Sequence, residues 1–255
     1  MSEISALPRV RVEGTIHLLS GLHIGAGKDS IEIGGIDNPV IKHPHTGQPY
    51  IPGSSVKGRL RFLLEWAFGT VRADGKPWGA DDTAENEQVD PSDPVLRIFG
   101  NAIKDWRGGP SRLIVRDAPL CQDWVRQTLD RGHVLTEEKT EVVIDRIHGK
   151  AHDRIGPRTT ERVPAGAVFE FALVFRRYNT GDGGKRDTEC LNWLLQGLDL
   201  LEHDALGGSG SRGYGRIRFE GLKLFDAAGE HSLDNVFRGH KFSRDAAPAI
   251  WTPSG

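Results

Sequence analysis

The sequence predicts an α+β fold, and three features of its 255 residues support this prediction. Residues 167–176 predict a strong β-strand, because Phe169, Phe171 and Phe175 recur at every second position and so lie on one face. Residues 191–201 carry leucines at helical spacing instead. Glycine accounts for 32 of the 255 residues, which is about 13% against an average of about 7%. Many glycine-dependent loops therefore connect the elements.

The charge of the chain is almost balanced. Its 33 Lys and Arg residues stand against 35 Asp and Glu residues, giving a formal net charge of −2. This excludes a globally basic nucleic-acid-binding protein but not a local basic face. The mean hydropathy is −0.41, and no apolar run reaches the ~18 residues of a membrane span. With 2 cysteines and no N-terminal signal segment, we expect a cytoplasmic protein without a membrane partner.

The first half of the chain predicts a strand, a helix and a second strand. Residues 8–18 place apolar side chains at alternate positions, and residues 113–118 also have strand character. Ser54 or Ser55 is the expected N-cap of the helix, which ends at Gly69. The apolar stripe of this helix comprises Val56, Leu60, Leu63, Leu64 and Ala67.

The second half repeats the order of strand, helix and strand. The strand at 167–176 and the leucine helix are followed by a last strand through Ile217. This is the split βαβ order of ferredoxin-like and RRM-like folds. A charge-dense segment over 137–163 precedes these elements and is expected to form a projecting hairpin that begins near Val142.

The domain organisation follows from these elements. We expect one domain over residues 8–225, with insertions at 70–110 and 137–163. The tail over 226–255 is weakly patterned, and we expect it to be partly mobile.

A glycine-rich loop spans residues 207–215. Gly208-x-Gly210-x-x-Gly213 matches the dinucleotide-binding pattern, but that pattern requires the order strand, loop, helix, and here the order is reversed. A glycine loop lets backbone N–H groups approach a phosphate, and Arg212 and Tyr214 suit pairing with or stacking on a nucleotide. The alternative is a glycine turn that packing requires.

The start of the first predicted helix is basic. Ser54 and Ser55 lie where free N–H groups and the helix dipole favour an anion. Residues 42–61 contain no acid, and the helix carries Lys57, Arg59 and Arg61. We expect an RNA phosphate backbone to cross this helix start. The alternative is a solvated ion-pair face, because Glu65 lies four residues after Arg61.

Asp37 is an isolated acid in a glycine-rich loop. A carboxylate in a basic groove would repel RNA phosphate unless it held a metal ion, acted as a general base or oriented a ribose hydroxyl. The alternative is a turn acid of the Asp-x-Pro type. His23 is either an RNA contact or a packed loop histidine. No cysteine and histidine spacing typical of a zinc site is present.

Four motifs occur in order along the chain. They are Gly-Leu-His-Ile-Gly at 21–25, Gly-Ile-Asp-Asn-Pro-Val-Ile-Lys at 35–42, Pro-Tyr-Ile-Pro-Gly-Ser-Ser-Val-Lys-Gly-Arg at 49–59, and the 207–215 loop. Together they resemble the RAMP superfamily of CRISPR proteins. Within it, the chain most resembles the backbone ribonuclease subunits of type III-A (Csm) effector complexes. The resemblance covers residues 8–225.

The resemblance implies an RNA-guided endoribonuclease. Copies of the chain would stack along a CRISPR guide RNA with other type III effector subunits. Each copy would carry a lid over 70–110 and a thumb over 137–163 that displaces one guide nucleotide. Asp37 would cut complementary target RNA opposite that nucleotide, with a divalent metal, Mg²⁺, and attack by the neighbouring 2′-hydroxyl. Asp117 is a secondary catalytic candidate.

The residue patterns and the resemblance together predict the RNA-binding residues. They lie at the helix start, in the glycine loop and in the thumb, and comprise His23, Ser54, Ser55, Lys57, Arg59, Arg61, Arg146, Gly208, Gly210, Arg212, Gly213 and Tyr214. Two alternatives stay open. One is a non-catalytic RNA-binding CRISPR backbone subunit, which would not need Asp37. The other is a guide-processing endoribonuclease, with His23 as the acid–base candidate.

Overall fold

The computed structural model describes residues 4–26, 38–80 and 89–253. The described strands are β1 (Ser5–Leu18), β2 (Tyr50–Ile51), β3 (Leu113–Val115), β4 (Ala118–Pro119), β5 (Glu137–Glu141), β6 (Arg158–Arg162), β7 (Val168–Asn179), β8 (Ile217–Asp226) and β9 (Gly229–Ser232). The described helices are α1 (Gly53–Phe68), α2 (Pro94–Phe99), α3 (Gln122–Asp130) and α4 (Lys185–Glu202). The predicted mixture of helices and strands is confirmed.

The centre of the protein is a five-stranded sheet in the order β3-β7-β1-β8-β9. Every neighbouring pair is antiparallel. The 14-residue β1 lies in the middle and pairs with β7 on one side and β8 on the other. Its register with β8 shifts between Glu13 and Thr15. Gly14 lies at this irregularity, where a Cβ atom would come within 2.7 Å of Leu222 Cδ2.

The core lies between one face of this sheet and the helices. The predicted alternation along β7 is confirmed, because Phe169, Phe171, Leu173 and Phe175 are all buried. The leucine helix is also confirmed as α4, which packs on β7, β8 and α1. Full burial of one such apolar side chain stabilises a protein by about 1.5–3 kcal/mol.

Helix α1 ends as predicted but begins differently. Gly69 caps its C-terminus with a left-handed φ of 71°. The predicted N-cap at Ser54 or Ser55 is wrong, because the cap residue is Pro52, which makes no side-chain cap bond. A carboxylate from another part of the chain replaces the cap, since Asp117 Oδ1 accepts the Gly53 N–H at 2.7 Å. Spacing along the helix sequence cannot show a cap donated from 64 residues away.

Residues 137–162 form a hairpin outside the central sheet. Strands β5 and β6 pair from Glu137 opposite Arg162 to Glu141 opposite Arg158. Beyond them, Ile144 bridges to Ala151, and the Asp145 carboxylate accepts backbone N–H groups in the turn.

Parts of the C-terminal segment pair with β8 or bind α4. Strand β8 continues to Asp226 and pairs with β9. The side-chain amide of Asn192 on α4 makes 2.8 Å bonds to both the N–H and the carbonyl of Trp251. Partial mobility of the tail stays a prediction, but residues 229–232 form β9 and Trp251 is bound to α4. Leu233, Phe237, Ile250 and Trp251 belong to the buried core, without a period that sequence patterns reveal.

None of the helices in the described parts of the chain is long and apolar enough to cross a membrane.

A buried ion cluster joins α2, α4 and the segment that enters β3. Asp187 on α4 is fully buried. Its carboxylate accepts from Arg97 at 2.7 Å, from Arg112 at 3.0 Å and from the Tyr178 N–H at 2.8 Å. One carboxylate thus compensates two buried guanidinium groups, so removing it leaves two uncompensated cations.

We expect Asp187→Asn to lower the free energy of unfolding by about 3–5 kcal/mol, since it breaks a buried ion network by removing one partner. Urea unfolding followed by circular dichroism measures the change. Asp123→Asn is the matched control, because Asp123 pairs with Arg126 on the surface and exposed pairs contribute about 0–1 kcal/mol. Equal stability of the two variants would contradict this role.

Candidate nucleic-acid interface

The predicted catalytic Asp37 lies outside the described residues, and the chain resumes at Asn38. The segment that follows is held on two sides. The Ile41 N–H donates to the Ile24 carbonyl at 2.9 Å, and the Ala26 N–H donates to the Pro39 carbonyl at 3.1 Å. On the other side, the Asn38 carbonyl accepts the Glu161 N–H from β6 at 3.1 Å. The chain directly after Asp37 therefore lies between residues 22–26 and the base of the hairpin.

Glu161 is the polar centre of this region, although no pattern in the sequence distinguishes it from its charged neighbours. Its side chain is 4% exposed. Oε2 accepts the Val40 N–H at 2.9 Å, and Oε1 accepts from Lys42 Nζ at 2.6 Å. Burial acts to raise the pKa of Glu161, but the bonds from Lys42, Val40 and Thr136 outweigh it and lower the pKa. Glu161 is therefore an ionised carboxylate.

His23 connects the hairpin base to the glycine loop. Its Nδ1 lies 2.7 Å from the Glu161 carbonyl. Because a carbonyl can only accept, Nδ1 donates this bond. The His23 carbonyl in turn accepts the Gly208 N–H at 2.9 Å. His23 is therefore a packed loop histidine. It also lies beside the predicted RNA-binding loop, so its position agrees with both interpretations.

The glycine loop has two kinds of glycine. Gly207 and Gly215 have left-handed φ values of 77° and 72°, and a Cβ atom would overlap the carbonyl oxygens of His23 and Leu206 respectively. Packing requires these two. Gly213 has a φ of 85° with open space beside it and is exposed. Gly210 begins a short 3₁₀ turn that ends at Arg212.

Tyr214 is placed differently from its predicted stacking position. It is 1% exposed, and its ring lies between Lys139 Nζ at 4.5 Å and the Arg162 guanidinium at 5.0 Å. Its hydroxyl donates to Glu141 at 3.2 Å. The ring therefore offers no open face to a base and instead fastens the glycine loop to the hairpin. Arg212 stays exposed, 3.9 Å from Glu141.

The start of α1 combines a bound carboxylate with a basic side chain. Asp117 caps the helix through the Gly53 N–H, so one helix-start donor is already used. Ser54 is exposed and Ser55 is half-buried. Lys57 donates to the Leu113 carbonyl at 3.3 Å. Burial lowers the pKa of Lys57, and the positive charges of Arg61 and Arg176 lower it further.

The two arginines of α1 already have protein partners. Arg59 pairs with Asp204 at 2.7 Å. Arg61 pairs with Glu65 at 2.7 Å, and the Arg61 side chain is only 22% exposed. The alternative ion pair is therefore present but is partly buried rather than solvated. Arg146, by contrast, is exposed in the turn of the hairpin.

No group of three or more acidic, histidine or cysteine side chains able to hold a metal ion occurs within residues 4–26, 38–80 and 89–253.

The comparisons with known proteins cover most of the chain. The model of the RAMP superfamily matches residues 15–218. The protein named CRISPR system Cms endoribonuclease Csm3 of Methanocaldococcus jannaschii is 40% identical over 225 residues, which cover 88% of this chain and 84% of that protein. The protein of the same name from Streptococcus thermophilus is 40% identical over 230 residues, covering 89% of this chain and 94% of that protein.

A solved structure is similar as well. It is the crystal structure of a Csm3-Csm4 subcomplex in the type III-A CRISPR-Cas interference complex. The match has a TM-score of 0.52 and 31% sequence identity, and it covers 87% of this chain and 81% of that chain.

Gly215→Ala should destabilise the protein more than Gly213→Ala. Both substitutions force a left-handed conformation on alanine, at a cost of about 1–2 kcal/mol. Only Gly215→Ala also drives a Cβ atom into the Leu206 carbonyl. Thermal unfolding of the two variants isolates this close approach, and equal melting temperatures would show that the loop does not need it.

Proposed function

This chain belongs to the RAMP superfamily, and we propose that it is the backbone ribonuclease subunit of a type III-A CRISPR effector complex. In this proposal it binds guide RNA and cleaves complementary target RNA at regular intervals. One observation carries the proposal. The glycine loop, residues 22–26 and the chain that follows Asp37 are joined by hydrogen bonds at the base of one hairpin. The names of the Csm3 relatives support the endoribonuclease activity.

The proposal includes the architecture. The order β3-β7-β1-β8, with α1 between β1 and β3 and α4 between β7 and β8, supports a ferredoxin-like core within the single RAMP domain over 8–225. Residues 70–110 would form the lid. The β5–β6 hairpin would be the thumb over 137–163, and residues 226–255 would form the C-terminal tail.

Guide binding would use the exposed groups of the interface. In the glycine loop, these are Gly208, Gly213 and Arg212. At the start of α1, the exposed Ser54 and the half-buried Lys57, whose Nζ also donates to the Leu113 carbonyl, would meet phosphate, while Arg146 would act at the thumb. Tyr214, His23, Arg59 and Arg61 have protein partners and would support this surface from within.

Cleavage would be a transesterification at a target phosphate. The neighbouring ribose 2′-oxygen would form a bond to phosphorus, the bond to the 5′-oxygen would break, and the products would carry a 2′,3′-cyclic phosphate and a 5′-hydroxyl. Asp37 would accept the 2′-hydroxyl proton or hold the cation. A divalent cation, Mg²⁺, would stabilise charge on the phosphoryl oxygens when bound. Asp117 would act on helix α1 rather than on the phosphate, since its carboxylate already binds the Gly53 N–H.

The protein partners would be further copies of this chain and other subunits of the complex. Copies of the chain would stack along the guide and join other type III subunits. The similarity to a chain of the solved Csm3-Csm4 subcomplex supports a neighbouring subunit of that class.

Asp37→Ala should abolish target cleavage while guide and target binding remain. Removal of a general base typically slows a reaction about 10²–10⁴-fold. The assembled complex is incubated with labelled complementary RNA with and without Mg²⁺, and the products are resolved on a gel. Wild type should give a ladder of evenly spaced products that disappears in Asp37→Ala and on metal chelation. If Asp37→Ala gave the same ladder as wild type, Asp37 would not be catalytic and would be only a turn residue.

Lys57→Ala should lower the slope of log affinity for guide RNA against log salt concentration by about 0.7–1, the contribution of one phosphate contact. Arg61→Ala is the matched comparison on the same helix. Because Arg61 is committed to Glu65, its slope should change less. Filter binding over a salt series gives both slopes. An unchanged slope for Lys57→Ala would show that Lys57 makes no phosphate contact.

A further inference from the structure

The hairpin and the chain that follows Asp37 are joined through one buried side chain. Glu161 lies on β6 at the hairpin base. Its carboxylate accepts from the backbone of Val40 and the side chain of Lys42, three and five residues after Asp37. It also accepts from Thr136, which precedes β5.

Backbone hydrogen bonds around Glu161 join the same segments. Its N–H donates to the Asn38 carbonyl at 3.1 Å, and Asn38 bridges to Thr160. Its carbonyl accepts from His23. The next residue but one, Val163, exchanges two backbone bonds with Leu22 at 2.8 and 2.9 Å. The side-chain bonds therefore fasten the 38–42 segment to a strand that is itself held firmly.

A buried carboxylate has a specific effect here. Its desolvation is offset only while its donors stay in place, so the geometry of these bonds is narrowly defined. Catalytic groups need such support, because a displacement of about 1 Å can slow a reaction about 10²-fold. The support reaches Asn38, the residue covalently bonded to Asp37.

We propose that Glu161 is a positioning residue for RNA cleavage, which fixes the chain bearing Asp37 to the base of the hairpin. This inference rests on the proposed function, since it assumes that Asp37 acts on the target. The hairpin that would contact RNA and the loop that would cut it then share one buried anchor.

The test uses the complex assembled with its guide and a saturating labelled target under single-turnover conditions. Glu161→Gln keeps the size of the side chain but removes its charge and places an NH₂ group toward donors. We expect the maximal cleavage rate to fall about tenfold or more, with the target concentration for half-maximal rate unchanged. A merely structural role would lower the amount of active complex and weaken binding instead.

Glu138→Gln is the matched control. Glu138 lies directly opposite Glu161 in the same ladder, but it is exposed. This variant should cleave at the wild-type rate. A wild-type rate for Glu161→Gln, or an equal loss in Glu138→Gln, would overturn the inference.

Lys42→Met decides the question if Glu161→Gln does not assemble. Lys42 is 39% exposed, and its replacement leaves the Val40 and Thr136 bonds to Glu161 intact. We expect a lower maximal rate at unchanged half-saturation, and a wild-type rate would overturn the inference. Asp37→Ala is assayed in parallel. If it is inactive while both Glu161→Gln and Lys42→Met cleave normally, only this inference fails. If it cleaves normally, the proposed function fails as well.

Discussion

The antiparallel pairing of β1 with β7 determines where the parts of the interface lie. The pairing continues beyond the ends of these two strands. It continues through bonds between Leu18 and Ala167 and then between Leu22 and Val163, at the end of the hairpin. The hairpin base is therefore an extension of the central sheet. Because the glycine loop directly precedes β8, the pairing of β8 with β1 brings this loop beside His23. Segments more than a hundred residues apart in sequence meet at one place for this reason.

This arrangement explains how a chain with a net charge of −2 can present a surface for a polyanion. Three described acids near the interface are bound by protein groups. Asp117 accepts from a helix start, Glu161 from Lys42, and Asp204 from Arg59. Their charges are compensated locally, whereas Arg146 and Arg212 stay exposed. Charge balance over the whole chain is thus a poor measure of the potential at the interface.

The sequence predicts the parts of the fold that depend on local periodicity. The alternation along β7 and the leucine spacing of α4 each reflect one buried face, and Gly69 reflects the left-handed conformation at a helix end. The N-cap of α1 and the packing of Trp251 were not predictable in this way. Both depend on groups far apart in sequence, Asp117 and Asn192, whose bonds leave no periodic pattern.

The interface shows the same division. Glycines, basic residues and the family motifs indicated which segments form it, but not which side chains face outward. Tyr214 illustrates the difference. Its position in a glycine loop suits stacking on a base, yet the ring is held between two cations of the hairpin and its hydroxyl binds Glu141. Glu161 shows the opposite case. It holds a buried position in the interface, but sequence patterns do not distinguish it from its exposed charged neighbours. Both side chains fasten the hairpin to a loop, Tyr214 to the glycine loop and Glu161 to the chain after Asp37. A displacement of the hairpin would therefore act on both loops together, which couples the guide-binding and cleavage elements of the proposed function through one rigid base.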